Sequence, residues 1–131
     1  METVILTDTC VLIEYLRGRE TTIQEIQSLG IGRIALNSII VMELFQGARN
    51  KQELHAIKKK ISPFGLLDLD QTIFTLSTQL IEQYTLAYGL RLADAVIGAT
   101  ALIYDLPLYT YNQKDFVFLS TIQFYSPHMD H

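Results

Sequence analysis

Four acidic residues, Asp8, Glu43, Asp94 and Asp115, occupy positions from which carboxylates could do chemistry. Glu43 and Asp94 are embedded in apolar runs, Val41-Met42-Glu43-Leu44-Phe45 and Leu92-Ala93-Asp94-Ala95-Val96. A carboxylate in such company is costly to desolvate unless something pairs with it. A metal ion would do so, and so would an arginine such as Arg17 or Arg91. Asp8 follows the β-prone run Val4-Ile5-Leu6-Thr7, and Asp115 comes shortly after Leu108-Tyr109-Thr110. Ligands of open α/β sheets bind in the crevice outside the carboxyl ends of the strands, so both acids could face one crevice. Each also has a plainer reading. Asp8 suits a helix N-cap, and Asp115 suits an Asx-type turn in Asn112-Gln113-Lys114-Asp115. Asp68, Asp70, Glu82 and Asp105 read as caps, turns or solvated faces. Spacing alone leaves a metal site and these alternatives open.

Other catalytic chemistries find less material. General acid–base catalysis without a metal usually needs a histidine or another group near neutral pKa. His55 falls in a charged helical stretch, and His128 and His131 lie at the chain end, away from the acidic segments. All three read as surface residues. Cys10 has no nearby histidine and reads as a small buried residue. No phosphate-binding glycine loop and no set of zinc ligands occurs. Carboxylates with Mg2+ or Mn2+, hard cations that prefer oxygen ligands, remain as the route.

These residues need elements to hold them. The periodicity predicts a helix after Asp8, with Val11, Leu12, Tyr15 and Leu16 on one face. A second helix is expected over 22–29, stopped by Gly30. A strand is expected at 33–36, then a helix capped by Ser38 and carrying Val41, Leu44, Phe45 and Ala48. Further helices follow at 51–61, from the cap Asp70 to Gly89, and at 92–104. Strands are expected at 66–69, 108–110 and 122–125. Gly98 and Ala101 share the helical stripe of Asp94, where small residues would admit another backbone and leave room beside the carboxylate. Strands separated by helices make an α/β fold with a parallel sheet covered on both faces.

The bulk numbers agree. The chain has 131 residues, enough for one domain (1–131), and its 49% hydrophobic content can bury a core. A single cysteine and no recognisable signal peptide predict a cytoplasmic protein. Its apolar stretches fall short of the roughly 20 residues that span a membrane. The net charge of −4 argues against a polyanion partner unless the acids are clustered and neutralised by cations.

Four segments together resemble the PIN-domain ribonucleases, and among them the VapC-type toxins of type II toxin–antitoxin pairs. They are Leu6-Thr7-Asp8-Thr9-Cys10-Val11-Leu12-Ile13; Asn37-Ser38 through Glu43 to Gly47-Ala48; Leu92-Ala93-Asp94 through Gly98 to Leu102; and Leu108 through Thr110, Asn112 and Asp115 to Phe116. The resemblance implies a three-layer α/β/α fold with a central parallel sheet of four to five strands. It implies that Asp8, Glu43, Asp94 and Asp115 bind Mg2+ (or Mn2+) and carry catalysis, with Thr9, Thr110 and Asn112 supporting them by hydrogen bonds. Cys10 departs from the Asn or Ser common at its position, and a thiol is a weaker hydrogen-bond partner. The implied activity is endoribonuclease cleavage by metal-activated water, on tRNA, rRNA or mRNA. The implied partners are a cognate antitoxin, which inserts a segment near the acidic groove, and a second copy in a homodimer.

Rival readings are a structure-specific DNA nuclease of the related flap type, a catalytically silent relative, and a phospho-receiver domain. The flap enzymes are generally longer, and the intact acidic quartet argues against a silent module. A phospho-receiver should show adjacent acids after the first strand, where this chain has Thr7-Asp8-Thr9. Arg17, Arg19, Arg49 and Lys114 flank the acidic segments and could steer phosphates or simply solvate the surface. Lys58-Lys59-Lys60 reads as a solvated helix face.

Overall fold

The computed structural model describes residues 3–128; His131 lies outside them. The chain begins with strand β1 (Ile5–Thr7), helix α1 (Thr9–Leu16) and helix α2 (Glu20–Leu29). Gly30, at φ 96°, ends α2 in a backbone conformation that disfavours a Cβ. Strand β2 (Ile34–Asn37) and helices α3 (Ser38–Gln46) and α4 (Lys51–Ile61) follow. Next come β3 (Gly65–Leu67), α5 (Gln71–Tyr88), α6 (Leu92–Tyr104) and β4 (Leu108–Tyr109).

The four strands are parallel in the order β3-β2-β1-β4. Leu6 is the pivot of the register, pairing with Ala35 on one side and Leu108 on the other. Every residue of β1 and β2 is buried whichever face it points to, so helices cover both faces. This is the α/β/α arrangement expected from the sequence. The chain builds outward from β1 to β2 to β3, then crosses back to place β4 on the other side of β1. That reversal puts the topological switch point between β1 and β4, where an open sheet parts to receive a ligand.

Several local expectations change. Asn37, not Ser38, caps α3: its Oδ1 accepts the Ile40 amide at 3.0 Å, and Ser38 is already helical. The strand expected at 122–125 shrinks to one bridge, Leu108 with Phe124. Leu108 accepts from the Tyr125 amide and donates to Gln123, but Thr121 just before has φ 67°, which interrupts extended backbone. The third strand starts one residue early, at Gly65, and ends at Leu67.

Helix α6 runs through the core, with Ala95 to Ala101 buried without a break. Gly98 is needed for side-chain packing rather than for a neighbouring backbone. A Cβ there would lie 2.6 Å from Leu119 Cδ1, so Leu119 fills the place of a side chain. This contact, with Phe116 beside it, pins the segment after β4 onto α6.

Candidate active site at the carboxyl ends of the strands

Asp8 sits one residue beyond β1, at the switch point, and is buried. Its backbone amide donates to Tyr109 O (2.9 Å), which continues the β1–β4 ladder to the end of the sheet. Its Oδ1 accepts the Thr9 amide at 2.8 Å, so the cap reading holds. Its Oδ2 accepts the Thr110 hydroxyl at 2.8 Å. One carboxylate therefore ties together the ends of β1 and β4 and the start of α1. Capping and ligand roles are compatible here, because a carboxylate has about four lone-pair sites.

Thr9 links the second acid. Its hydroxyl donates to Glu43 Oε1 at 2.6 Å, joining α1 to α3. Glu43 is thus held by a hydroxyl, while Arg17 stands near Glu14 (3.9 Å). Asp94 lies in the first turn of α6, where the helix dipole favours an anion. Its carboxyl is nevertheless pushed up to about 7. Desolvation is the largest cause, followed by the charges of Asp8, Asp115 and Glu43, with Arg91 opposing them. Asp8 is also raised, by burial first and by Glu43 last, against the hydrogen bonds that favour its charged form. Asp8, Asp115 and Glu43 are thus each within electrostatic reach of Asp94, and Glu43 of Asp8. Among the described residues, no three His, Cys, Asp or Glu side chains stand close enough to cage an ion as placed. The acids form an open cluster.

Asp115 lies in a short 3-10 turn (Gln113–Asp115) beyond β4. The turn is anchored by Thr110, whose Oγ1 accepts the Asn112 amide at 3.0 Å. Asn112 acts here through its backbone, and the residue is exposed. Cys10 is half-buried, and its Sγ contacts Thr110 Oγ1 (3.4 Å), Asp8 Oδ2 (3.5 Å) and the Tyr111 amide (3.4 Å). Burial, then the Asp8 charge, pushes this thiol up to about 11. A weak donor thus occupies a position central to the Asp8 contacts.

Two groups of polar residues were not singled out from the sequence. Asn37 Nδ2 donates to Thr100 Oγ1 at 3.0 Å, a buried bond from the end of β2 to α6. Glu25 is fully buried, accepting from Tyr125 Oη and from the His128 amide at 3.1 Å. His128 therefore belongs to an anchored segment. The signal for Glu25 was present: Thr22, Glu25, Ile26 and Leu29 form the buried i, i+3, i+4, i+7 stripe of α2.

Of the candidate phosphate-steering cations, Arg49 is engaged by Glu53 (2.7 and 2.9 Å) and Arg19 lies over the Tyr111 ring (5.5 Å). Lys114 is exposed, and Lys58 to Lys60 form an exposed face. A groove of about 610 Å3 runs beside the site. Leu16, Leu44 and Ile57 line it, with Arg17, Arg49, Lys60 and Glu43.

A family model of the PIN domain matches residues 5–118, and so spans all four acids. The chain belongs to the PIN domain family. PIN domains are nucleases and generally use divalent metals. Membership removes the phospho-receiver reading. Among solved PIN-like structures, a toxin–antitoxin complex from Klebsiella pneumoniae is 30% identical, with a TM-score of 0.74, covering 90% of this chain and 94% of that one. FitAcB from Neisseria gonorrhoeae is 26% identical (TM-score 0.74; 93% and 97% covered). DNA-bound VapBC from Salmonella typhimurium, at 24% identity, supports the fold (TM-score 0.80; 95% and 98% covered). No curated protein sequence gives a significant match. Among the described residues of this PIN domain, no helix is long and apolar enough to cross a membrane.

Proposed function

We propose that this PIN domain is the nuclease toxin of a toxin–antitoxin pair, an endoribonuclease of the cytoplasm that works as a single domain over 1–131. The observation that carries the reading is the convergence of charge on Asp94, whose carboxyl burial first, and then the charges of Asp8, Asp115 and Glu43, push up to about 7. Mutually repelling carboxylates at a sheet's switch point are hard oxygen donors, which fits Mg2+ or Mn2+. Asp8, Glu43, Asp94 and Asp115 would hold the metal, and their side-chain oxygens would close on it from the open cluster. Bound there, the metal would lower the pKa of an attacking water and neutralise charge on the phosphate. Thr110 and Thr9 hold Asp8 and Glu43 by their hydroxyls, and Asn112 holds Thr110. These bonds limit the rotamers the acids sample before metal arrives.

A neutralised cluster also resolves the net charge of −4. The antitoxin partner is supported by the toxin–antitoxin complex at 30% identity. Its inserted segment would fit the groove lined by Leu16, Leu44 and Ile57, with Glu43 joining groove to site. A homodimer belongs to the same proposal.

The test is cleavage of structured RNAs and matched DNAs by purified, antitoxin-free protein, with Mg2+, Mn2+ or EDTA, beside Asp94→Asn. Metal-dependent RNA cleavage lost in the variant supports the proposal. Cleavage that persists in EDTA and in Asp94→Asn sinks the mechanism. Cleavage of DNA alone moves the chain to the flap-like reading, and metal binding without cleavage of any substrate to the silent one.

A further inference from the structure

Tyr88 and Phe118 form a parallel ring stack, with centroids 4.4 Å apart and planes within 3°. Tyr84 packs against both rings, tilted to each. Parallel stacking of this kind is a favoured aromatic arrangement, and here it stands at the surface, with Phe118 half-buried and Tyr88 exposed. Tyr88 remains 60% exposed although one of its faces covers Phe118, so its other face is open to solvent. An open tyrosine face costs hydrophobic free energy, and its position suggests a use.

The stack bridges the two segments that carry Asp94 and Asp115. Tyr88 ends α5, and Arg91 and Asp94 follow at the start of α6. Phe118 comes three residues after Asp115, in the segment that Leu119 pins against Gly98 of α6. The charge of Asp115 reaches Asp94, so the two segments converge at the site as well as at the stack. Arg91 and Lys114, both exposed, supply positive charge on the same two segments.

We infer that the open face of Tyr88, backed by Phe118, is a platform on which an unpaired nucleobase of the substrate stacks beside the acidic cluster. This rests on the proposed nuclease function and adds a base-binding subsite to it. Every base has a π-face, so the platform selects single-stranded over paired nucleic acid without reading sequence. Arg91 and Lys114 meet the backbone phosphates that flank the stacked base. The platform therefore places an unpaired nucleotide at the site, and duplex RNA is excluded from the same grip.

The experiment measures binding of a short fluorescein-labelled oligoribonucleotide, single-stranded or annealed to its complement. The protein carries Asp94→Asn to prevent cleavage, alone or with Tyr88→Leu or Tyr88→Phe. Leucine keeps an apolar cover on Phe118 but has no ring to stack on. The expected result is single-strand affinity about tenfold weaker with Tyr88→Leu and within about twofold with Tyr88→Phe. Duplex binding should be weak and equal in all three. Equal single-strand affinity with Leu and Tyr overturns the platform while leaving the nuclease proposal standing. So does a fall in oligomeric state with Tyr88→Leu by light scattering, which would assign the stack to contact between chains. RNA binding by none of the proteins, with no RNA cleavage by the unsubstituted chain, overturns both.

Discussion

The Thr110 hydroxyl donates to Asp8 Oδ2 at 2.8 Å, joining two residues 102 positions apart in the chain. The same oxygen accepts the Asn112 amide, so Thr110 both orients the acid and starts the turn toward Asp115. A single threonine hydroxyl thus couples two of the four acids. Its alternatives are poor, since the remaining neighbour of Asp8 Oδ2 is the weakly donating Cys10 thiol.

Replacing Thr110 with valine keeps the shape and removes this bond. Leaving a buried acceptor short of a donor costs about 1–3 kcal/mol, and loss of such support typically lowers metal affinity or activity about 10–100-fold. Denaturant unfolding and Mg2+ titration of Thr110→Val would read both effects. Wild-type values in both would mean that the hydroxyl does not position Asp8.

The metal-free protein should lose stability as pH rises. Asp94 is held up to about 7 in the folded state against 3.8 as the ordinary value, so the folded chain binds this proton more tightly. The stability it contributes is complete below about pH 4 and disappears as pH rises through about 7. Asp8 shifts in the same direction. Asp94→Asn cannot ionise, so in EDTA it should gain on the wild type between those limits. After allowance for solvent screening the gain is on the order of 1–2 kcal/mol. Mg2+ should stabilise the wild type at pH 8 more than the variant. Parallel melting-temperature profiles across that pH range would contradict the charge convergence.

Cys10 should be unreactive while the protein is folded. Its thiol rises from 9.0 to about 11, which leaves about a hundredfold less thiolate at pH 8. Alkylation by iodoacetamide should be slower by about that factor than in denaturant. Equal rates in the two states would show that Cys10 is neither desolvated nor beside the Asp8 charge.

A side chain at Gly98 should require Leu119 to shift or shrink. Alanine would gain about 1 kcal/mol of helix propensity, but its methyl would meet Leu119 at 2.6 Å. Overpacking typically costs about 1–3 kcal/mol, so Gly98→Ala should be mildly destabilising and Gly98→Val severely so. Adding Leu119→Ala should make Gly98→Ala neutral or favourable, a coupling that a double-mutant cycle measures. Additive effects would place the two residues apart.

Much of this molecule was readable in one dimension. Hydrophobic period and punctuation located six helices and four strands because both act over a few residues. Gly30 ends α2 and Asp70 caps α5 by bonds that reach no further than the next turn. The error at Ser38 has the same origin: Asn37 and Ser38 are both good caps, and the pairing of Asn37 with Leu67 in the sheet decided between them. The strand expected at 122–125 failed because pairing depends on a partner. There only Phe124 bridges to Leu108, and Thr121 at φ 67° keeps the backbone before it from extending the pairing.

The four acids were legible as types in suspicious surroundings, but only the family resemblance, not periodicity, pointed to their convergence. Periodicity cannot say whether Asp94 meets Arg91 or three other carboxylates, because the answer depends on the strand order. Only the crossing from β3 to the far side of β1 brings Asp8 beside Thr110 and opens the crevice there. Glu25 and His128 make the same point, since a contact across 103 residues leaves no periodic trace. The sequence by itself determined the elements, their caps and the supply of carboxylates, through interactions local to each segment. The tertiary structure alone decided which charges share a site, because desolvation and Coulomb repulsion depend on distances through space.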